Sequence, residues 1–270
     1  MSLFKNLGTE GLAEKEDRIG GSRVLNTEIY EGTIKMAYAQ KSTGGALGIT
    51  LIIMINGSEF STTQYVTDKN GNNFFHPKDA NGQPNLKMKN PLPGFTIIDD
   101  LCLVTTGAPL KDQETEQKTV RIYNFDEKKE LPTVVDAMTD LIGTTAYFAM
   151  FKDLVNVEER DSNNMYQVTD KTREQNEIVK VCHHPSKVTV KEQMVAAEAG
   201  QDSVEPVWFD EWRTKWVDPT DPGKVRDRRK VKDGAGTGSG RPGQNASSPP
   251  VGSNPAAGGG AKKPGLFGKK

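Results

Sequence analysis

Residues 27–68, TEIYEGTIKMAYAQKSTGGALGITLIIMINGSEFSTTQYVTD, decide the fold. Three β-rich runs lie in it, joined first by the Gly-rich KSTGGALG and then by Asn56-Gly57. Asn-Gly tolerates the positive φ angles of a two-residue hairpin, so the stretch predicts an antiparallel meander. Outward from it, residues 69–94 form a long loop with little periodicity, a length that in a compact domain points to function or disorder. FTIIDDLCLVTTG (95–107) reads as a short helix or apolar segment. KTVRIYNFD (118–126) alternates as a strand, with Arg121, Tyr123 and Phe125 on one face and Val120 and Ile122 on the other. PTVVDAMTDLIG (132–143) suits a helix stopped by Gly143. TTAYFAMFKDLVNVEE and EIVKVCHH read as two strands joined by a polar link, and VKEQMVAAEAG as a helix before the Trp-rich VWFDEWRTKWVD.

The 270 residues suffice for a substantial core, and no run approaches the roughly 18 apolar residues of a membrane span. The N-terminal MSLFKNLGTEGLAEKE lacks the apolar stretch of a signal peptide, so a soluble cytoplasmic protein without disulfides is expected. Net charge is −1, but from Lys224 onward there are 11 Lys and Arg against 2 Asp, leaving 24 basic and 34 acidic residues before it. An acidic body with a basic tail suggests that the tail meets nucleic acid or an acidic protein, or folds back on its own body. The expected organisation is a flexible arm (1–22), one mainly β domain with minor α (23–220), and a disordered basic tail rich in Gly, Pro and Ser (221–270). Five or so strands with a late helix fit an elaborated OB-type antiparallel barrel. A β-sandwich of a virion or assembly protein fits the same string.

No phosphate-cradling, nucleophile-elbow, zincin or dinucleotide motif occurs, so no catalysis and no cofactor are expected. Cys182-His183-His184 is a dense set of soft ligands, but zinc wants four, and Cys102 and His76 are remote in sequence; a strand ending on a buried Cys is the plainer reading, and no metal is assigned. Asp99-Asp100 with Asp136 or Asp140 could be imagined as a two-metal nuclease site, although solvated carboxylates are far commoner.

A richer pattern mixes rings with cations. Lys35, Tyr38 and Lys41 lie along the first strand, Tyr65 and Lys69 end the third, Phe74, Phe75, Lys78, Lys87 and Lys89 populate the long loop, and Arg121 and Tyr123 share a later face. Single-stranded nucleic acid needs this combination, cations for phosphates and ring faces for unstacked bases. Strand aromatics are also commonly core. Adjacent Phe74 and Phe75 cannot both point inward if the chain is extended there. Trp208, Trp212 and Trp216 at i, i+4, i+8 form one helical stripe, best read as packing.

MSLFKNL (1–7), the meander, YVTDKNGNNFF (65–75), FDEWRTKWVDP (209–219) and a Gly/Ser/Pro tail closing on KKPGLFGKK (262–270) together resemble the single-stranded DNA-binding proteins of bacteriophages, of the type found in podophages carrying a virion RNA polymerase. The resemblance implies an OB-fold that coats single strands without sequence preference in replication, recombination and repair, in the cytoplasm of the infected host. It also implies a tail that recruits partner proteins and can activate transcription by touching host RNA polymerase. That places the partner contact on Leu266, Phe267, Lys269 and Lys270. Better-known relatives end in an acidic tip, whereas this one is basic. A linker of about 30 flexible residues has an r.m.s. span of about 30 Å, enough to hold such a tip clear of the body.

Overall fold

The computed structural model of the protein describes residues 24–124, 127–160, 166–201 and 203–230. The expected arm, Phe125 and the segment 262–270 lie outside the described residues. β1 (Glu28–Lys41), β2 (Leu47–Ile55) and β3 (Ser58–Tyr65) form the antiparallel meander. Asn56 and Gly57 take φ of 51° and 76°, and this turn sets Ile55 opposite Ser58. The register then sorts side chains by face. Ile34, Ala37, Ile49, Leu51, Ile53 and Phe60 enter the main core, while Tyr38, Thr50, Thr63 and Tyr65 take the other face.

PTVVDAMTDLIG departs from its expected helix. Its first half belongs to β7 (Lys129–Ala137), paired with β6 (Glu116–Asn124), and only Thr139–Leu141 makes a 3-10 turn. Thr133, Val134 and Val135 are consecutive β-branched residues, and Val135 and Ala137 are buried on alternate positions, so period 2 prevails over period 3.6. The polar link expected over 160–176 departs too, since Tyr166 onward is already strand: β8 (Thr145–Arg160) and β9 (Tyr166–His183) pair along their length.

The long strand β1 forks the sheet. Along one edge it pairs with β2; along the other, Glu28–Thr33 pair with β8, and Tyr38 and Ala39 pair with β7. Between these partners, Met138 donates its N–H to Ala37 O (2.9 Å) and Gly143 donates to Ile34 O (2.8 Å), sealing the gap. Antiparallel pairing fixes the directions. The outer part of β8 runs on past the beginning of β1, whereas the outer part of β7 lies past its end. Two hairpin arms, β8–β9 and β6–β7, therefore leave the meander at opposite ends. A short β10 (Arg226–Asp227) runs parallel to β8 beside Asp153 and Leu154, where β1 has already ended.

The expected OB-type barrel is overturned by this pairing. β3, β6 and β9 each have a single partner among the described strands, so the eight-stranded sheet is open and branched, and the architecture is mixed α/β with two sheets. The second sheet, β4 (Phe74–Phe75) with β5 (Asn90–Pro91), is too small for the second layer of a sandwich.

On the core face lies α1 (Pro93–Thr106), which buries Ile98, Leu101, Cys102, Leu103 and Val104 and stops at Gly107, φ 76°, whose N–H donates to Leu103 O. α2 (Val190–Glu198) starts on a capping box in which Thr189 and Glu192 satisfy each other's backbone N–H. α3 (Val207–Trp216) carries the Trp stripe and buries Trp212 against Ala149 and Phe151 in a separate, smaller cluster.

Candidate nucleic-acid interface

Several of the expected residues lie at the end of the sheet where β1 and β3 end and β2 begins, Tyr65 on the outer face and Lys41, in register with Leu47, on the core face. Tyr65 closes β3 opposite Gly48 and is 47% exposed. A Cβ on Gly48 would lie 3.2 Å from two atoms of that ring, so the missing side chain is what lets the ring lie there. A Cβ on Gly94 would lie 2.3 Å from Tyr65 O, so the first turn of α1 sits directly on the strand end. Lys41 ends β1 opposite Leu47, whose carbonyl accepts from Val66 N–H (2.9 Å) and Thr67 N–H (3.2 Å). These bonds fold the chain after β3 back over the start of β2, with Lys69 O 3.6 Å from the position of a Cβ on Gly45. The acid in this turn is committed internally. Asp68 accepts from Asn72 Nδ2 (3.0 Å) and from the N–H groups of Asn72 and Asn70 (2.8 Å each), bonds that hold its carboxyl below the usual range.

From this corner rises the stretch expected as a loop, which is a long hairpin on the two-stranded base of β4 and β5. Leu92 N–H donates to Asn73 O (2.9 Å) at its foot, Lys78 and Pro84 bridge near its far end, and His76 Nδ1 lies 2.7 Å from Met88 O. Asp79 accepts from Asn81 and Gln83 N–H (2.9 Å each), so a second acid is spent on a turn. Alternation divides the two phenylalanines. Phe74 is half-buried, with His76 edge-on at 5.5 Å and the Lys89 ammonium 4.2 Å from its centroid, while Phe75 is 43% exposed. Leu86 and Met88 are also exposed on this flap. Sequence reasoning passed over them, although the alternating LKMK of 86–89 carried the signal.

The β6–β7 arm projects past the same end of the sheet. On it Arg121 and Tyr123 share an exposed face and Val120 and Ile122 are half-buried on the other. Among the described residues, Lys41, Lys69, Lys78, Lys87 and Arg121 have no ion pair. The opposite arm differs. There Lys152 pairs with Glu174 (2.9 Å), Lys171 with Glu159 (2.8 Å) and Lys230 with Glu158 (3.0 Å).

Two of the expected residues do not join this corner. Lys35 sits at a β-bulge between Ile34 and Met36 and pairs with Glu59, toward the Asn56-Gly57 turn. Tyr38 is 6% exposed, in the row where Thr50 and Ala137 flank it at the fork, so its ring is not open to stacking. The Trp stripe turns to packing: Trp212 and Trp216 both meet the Phe151 ring, whose face also lies 3.7 Å from the Arg226 guanidinium.

The other candidate chemistries are dispersed. Asp100 pairs with Lys180 (2.8 Å) and Asp99 accepts from Leu110 N–H (2.8 Å). Cys182 is buried, which pushes its thiol up to about 12. His183 Nδ1 lies 2.7 Å from Ser186 Oγ, and burial holds its imidazole below the usual range. His184 faces Glu31 (3.6 Å) and the Tyr147 ring. Among the described residues no three His, Cys, Asp or Glu side chains gather to hold a metal, and no helix is long and apolar enough to cross a membrane. No protein-family model, curated protein or solved structure matches the chain.

Proposed function

We propose that the protein binds single-stranded DNA without sequence preference and without catalysis, serving phage DNA replication, recombination and repair in the cytoplasm of the infected host. One observation carries this reading: the exposed rings of Tyr65, Phe75 and Tyr123 and the cations Lys41, Lys69, Lys78, Lys87 and Arg121, without ion pairs among the described residues, lie toward one end of an open sheet, while Lys152, Lys171 and Lys230 at the opposite arm are each paired with a carboxylate. Tyr65 and Phe75 would stack bases, Lys41, Lys69, Lys78, Lys87 and Arg121 would take phosphates, and the flap would close over the strand. The resemblance of the chain to phage single-strand binding proteins supports the same reading. It adds recruitment of replication and recombination proteins, and of host RNA polymerase, through Leu266, Phe267, Lys269 and Lys270.

Titration with oligo(dT) tests the proposal. Expected are quenching of intrinsic fluorescence, steep weakening by salt, and poor competition by duplex. Equal affinity for duplex and single strand, or none for either, would remove it.

A further inference from the structure

On the core face, where β7 meets β1, an apolar cleft of about 220 Å³ is lined chiefly by Ala39, Leu47, Ile49, Val66, Leu110 and Met138. Gln113 lines it too, and also lines the adjoining polar cleft with Asp112 and Asp140. Asp136 stands opposite Ala39 in the register and so shares its face. Asp112, Asp136 and Asp140 have no ion pair among the described residues, against two nearby cations, Lys41 and Lys111. The Gln113 amide is half used: its Nε2 donates to Thr106 Oγ1 (2.9 Å) and Ala108 O (3.0 Å), and its Oε1 is buried with no partner among the described residues. Because the Nε2 contacts require a donor, the amide orientation is fixed and the carbonyl is the atom left over. An apolar cleft bordered by unpaired carboxylates and an unused acceptor calls for an apolar segment flanked by cations and carrying free N–H groups.

The chain carries such a segment. We propose that residues 262–270, KKPGLFGKK, dock intramolecularly here, with Leu266 and Phe267 in the apolar cleft and the lysine pairs on Asp112, Asp136 and Asp140. The reach suffices. Lys230 N–H donates to Asn156 Oδ1, which fixes the departure point on the β8–β9 arm. From there to the cleft is about 55 Å along the strands at about 3.3 Å per residue, while residues 231–261 can extend to about 100 Å. The docked state neutralises part of the acidic body with the basic tail, and it competes with any outside partner for Leu266 and Phe267.

Methyl NMR of the full chain labelled at methionine tests this without nucleic acid. The Met138 methyl reports on the cleft; Met36 and Met54, on the opposite face, are internal controls. Leu266→Ala with Phe267→Ala, or 0.5 M salt, is expected to shift Met138 and leave the controls in place. The synthetic peptide KKPGLFGKK, added to protein ending at 261, is expected to restore the Met138 position, and its Ala-Ala version to bind at least tenfold more weakly. A Met138 signal identical in the parent and Ala-Ala proteins overturns the proposal. So does a shift that depends on protein concentration, which would place the segment on a second copy. Oligo(dT) affinity can survive either failure, so the two readings fall separately.

Discussion

Arg226→Met tests the most consequential contact outside the proposed interface. Asp153 is fully buried, and its carboxylate is held by Arg226 Nε (2.7 Å) and Nη2 (2.8 Å). The same guanidinium reaches Glu177 and covers the Phe151 ring, while Arg228 stands 3.4 Å from Asp153. Removing one partner of a buried pair strands the other charge and costs about 3 to 5 kcal/mol. Arg228 supplies partial compensation, so the lower end applies, about 3 kcal/mol. For a body of this size that corresponds to a fall in Tm of about 6 to 12 °C. Urea unfolding monitored by Trp fluorescence reads it directly, because Trp212 and Trp216 touch the same Phe151 ring. Adding Asp153→Asn removes the stranded charge, so the double variant is expected to be at least about 1 kcal/mol more stable than additivity allows. A loss below about 1 kcal/mol for Arg226→Met, or strict additivity, would refute the buried-pair account. The sequence places the basic tail from 221, yet this contact makes Arg226–Lys230 part of the folded body: ending the chain at 225 is expected to destabilise it, and ending it at 230 is not.

Other outcomes follow from the corner where β1 and β3 end. Tyr65→Ala and Phe75→Ala are each expected to weaken oligo(dT) binding by about 1 to 3 kcal/mol with unfolding midpoints unchanged, whereas Tyr38→Ala should lower stability first, since its ring is enclosed. Lys69→Ala and Lys78→Ala should each reduce the slope of log affinity against log salt by about 0.7, and Lys35→Ala should leave it unaltered because Glu59 already neutralises Lys35. Cys182 should resist maleimide at pH 8 in the native protein and react on unfolding. Its folded thiol keeps the proton up to about 12, whereas an unfolded thiol loses it near 9, so this group favours the folded state below that window and the stability is lost as pH rises through it.

How much of this was legible in the sequence depended on which faces each element buries. The meander was legible because Asn56-Gly57 fixes the turn and ITLIIMI can only be an interior strand. α3 was legible because a Trp every fourth residue has one solution as a helix with a buried stripe. β9 was not, since Tyr166–Glu177 lie on an arm exposed to water on both sides, and a strand without an apolar face shows no alternation. β7 was misread because Asp136 and Met138 around two valines mimic helical spacing over one turn. The open sheet was out of reach for a different reason. A barrel and a fork differ in which strands pair at the edges, and that choice is set by Gly143 and Met138 bonding the middle of β1, a non-local contact that leaves no local pattern.

At the candidate interface the same division holds. The rings and cations are legible as residue types, but their exposure and pairing depend on neighbours that single positions do not announce. Lys35 and Lys69 are equivalent as sequence, each a lysine at or near a strand of the meander; Glu59 stands beside the first, while the acid nearest the second, Asp68, is bound to the amides of its own turn. The two arms repeat this contrast on a larger scale. Both are long ribbons rich in charge, and β6–β7 has the pairs Lys118–Glu116 and Lys129–Glu127; in β8–β9, Glu159–Lys171 and Glu174–Lys152 cross between the two strands, and Glu158 pairs with Lys230 in the segment after β10. In β6–β7, Arg121 stands opposite Pro132, which offers it no charge. A lysine already paired with a carboxylate has little to gain from meeting a polyanion, because pairing with phosphate would first break a contact of similar strength. On the proposed reading, charge pairing between neighbouring residues, rather than charge content, is what would direct a strand of nucleic acid to one end of this sheet.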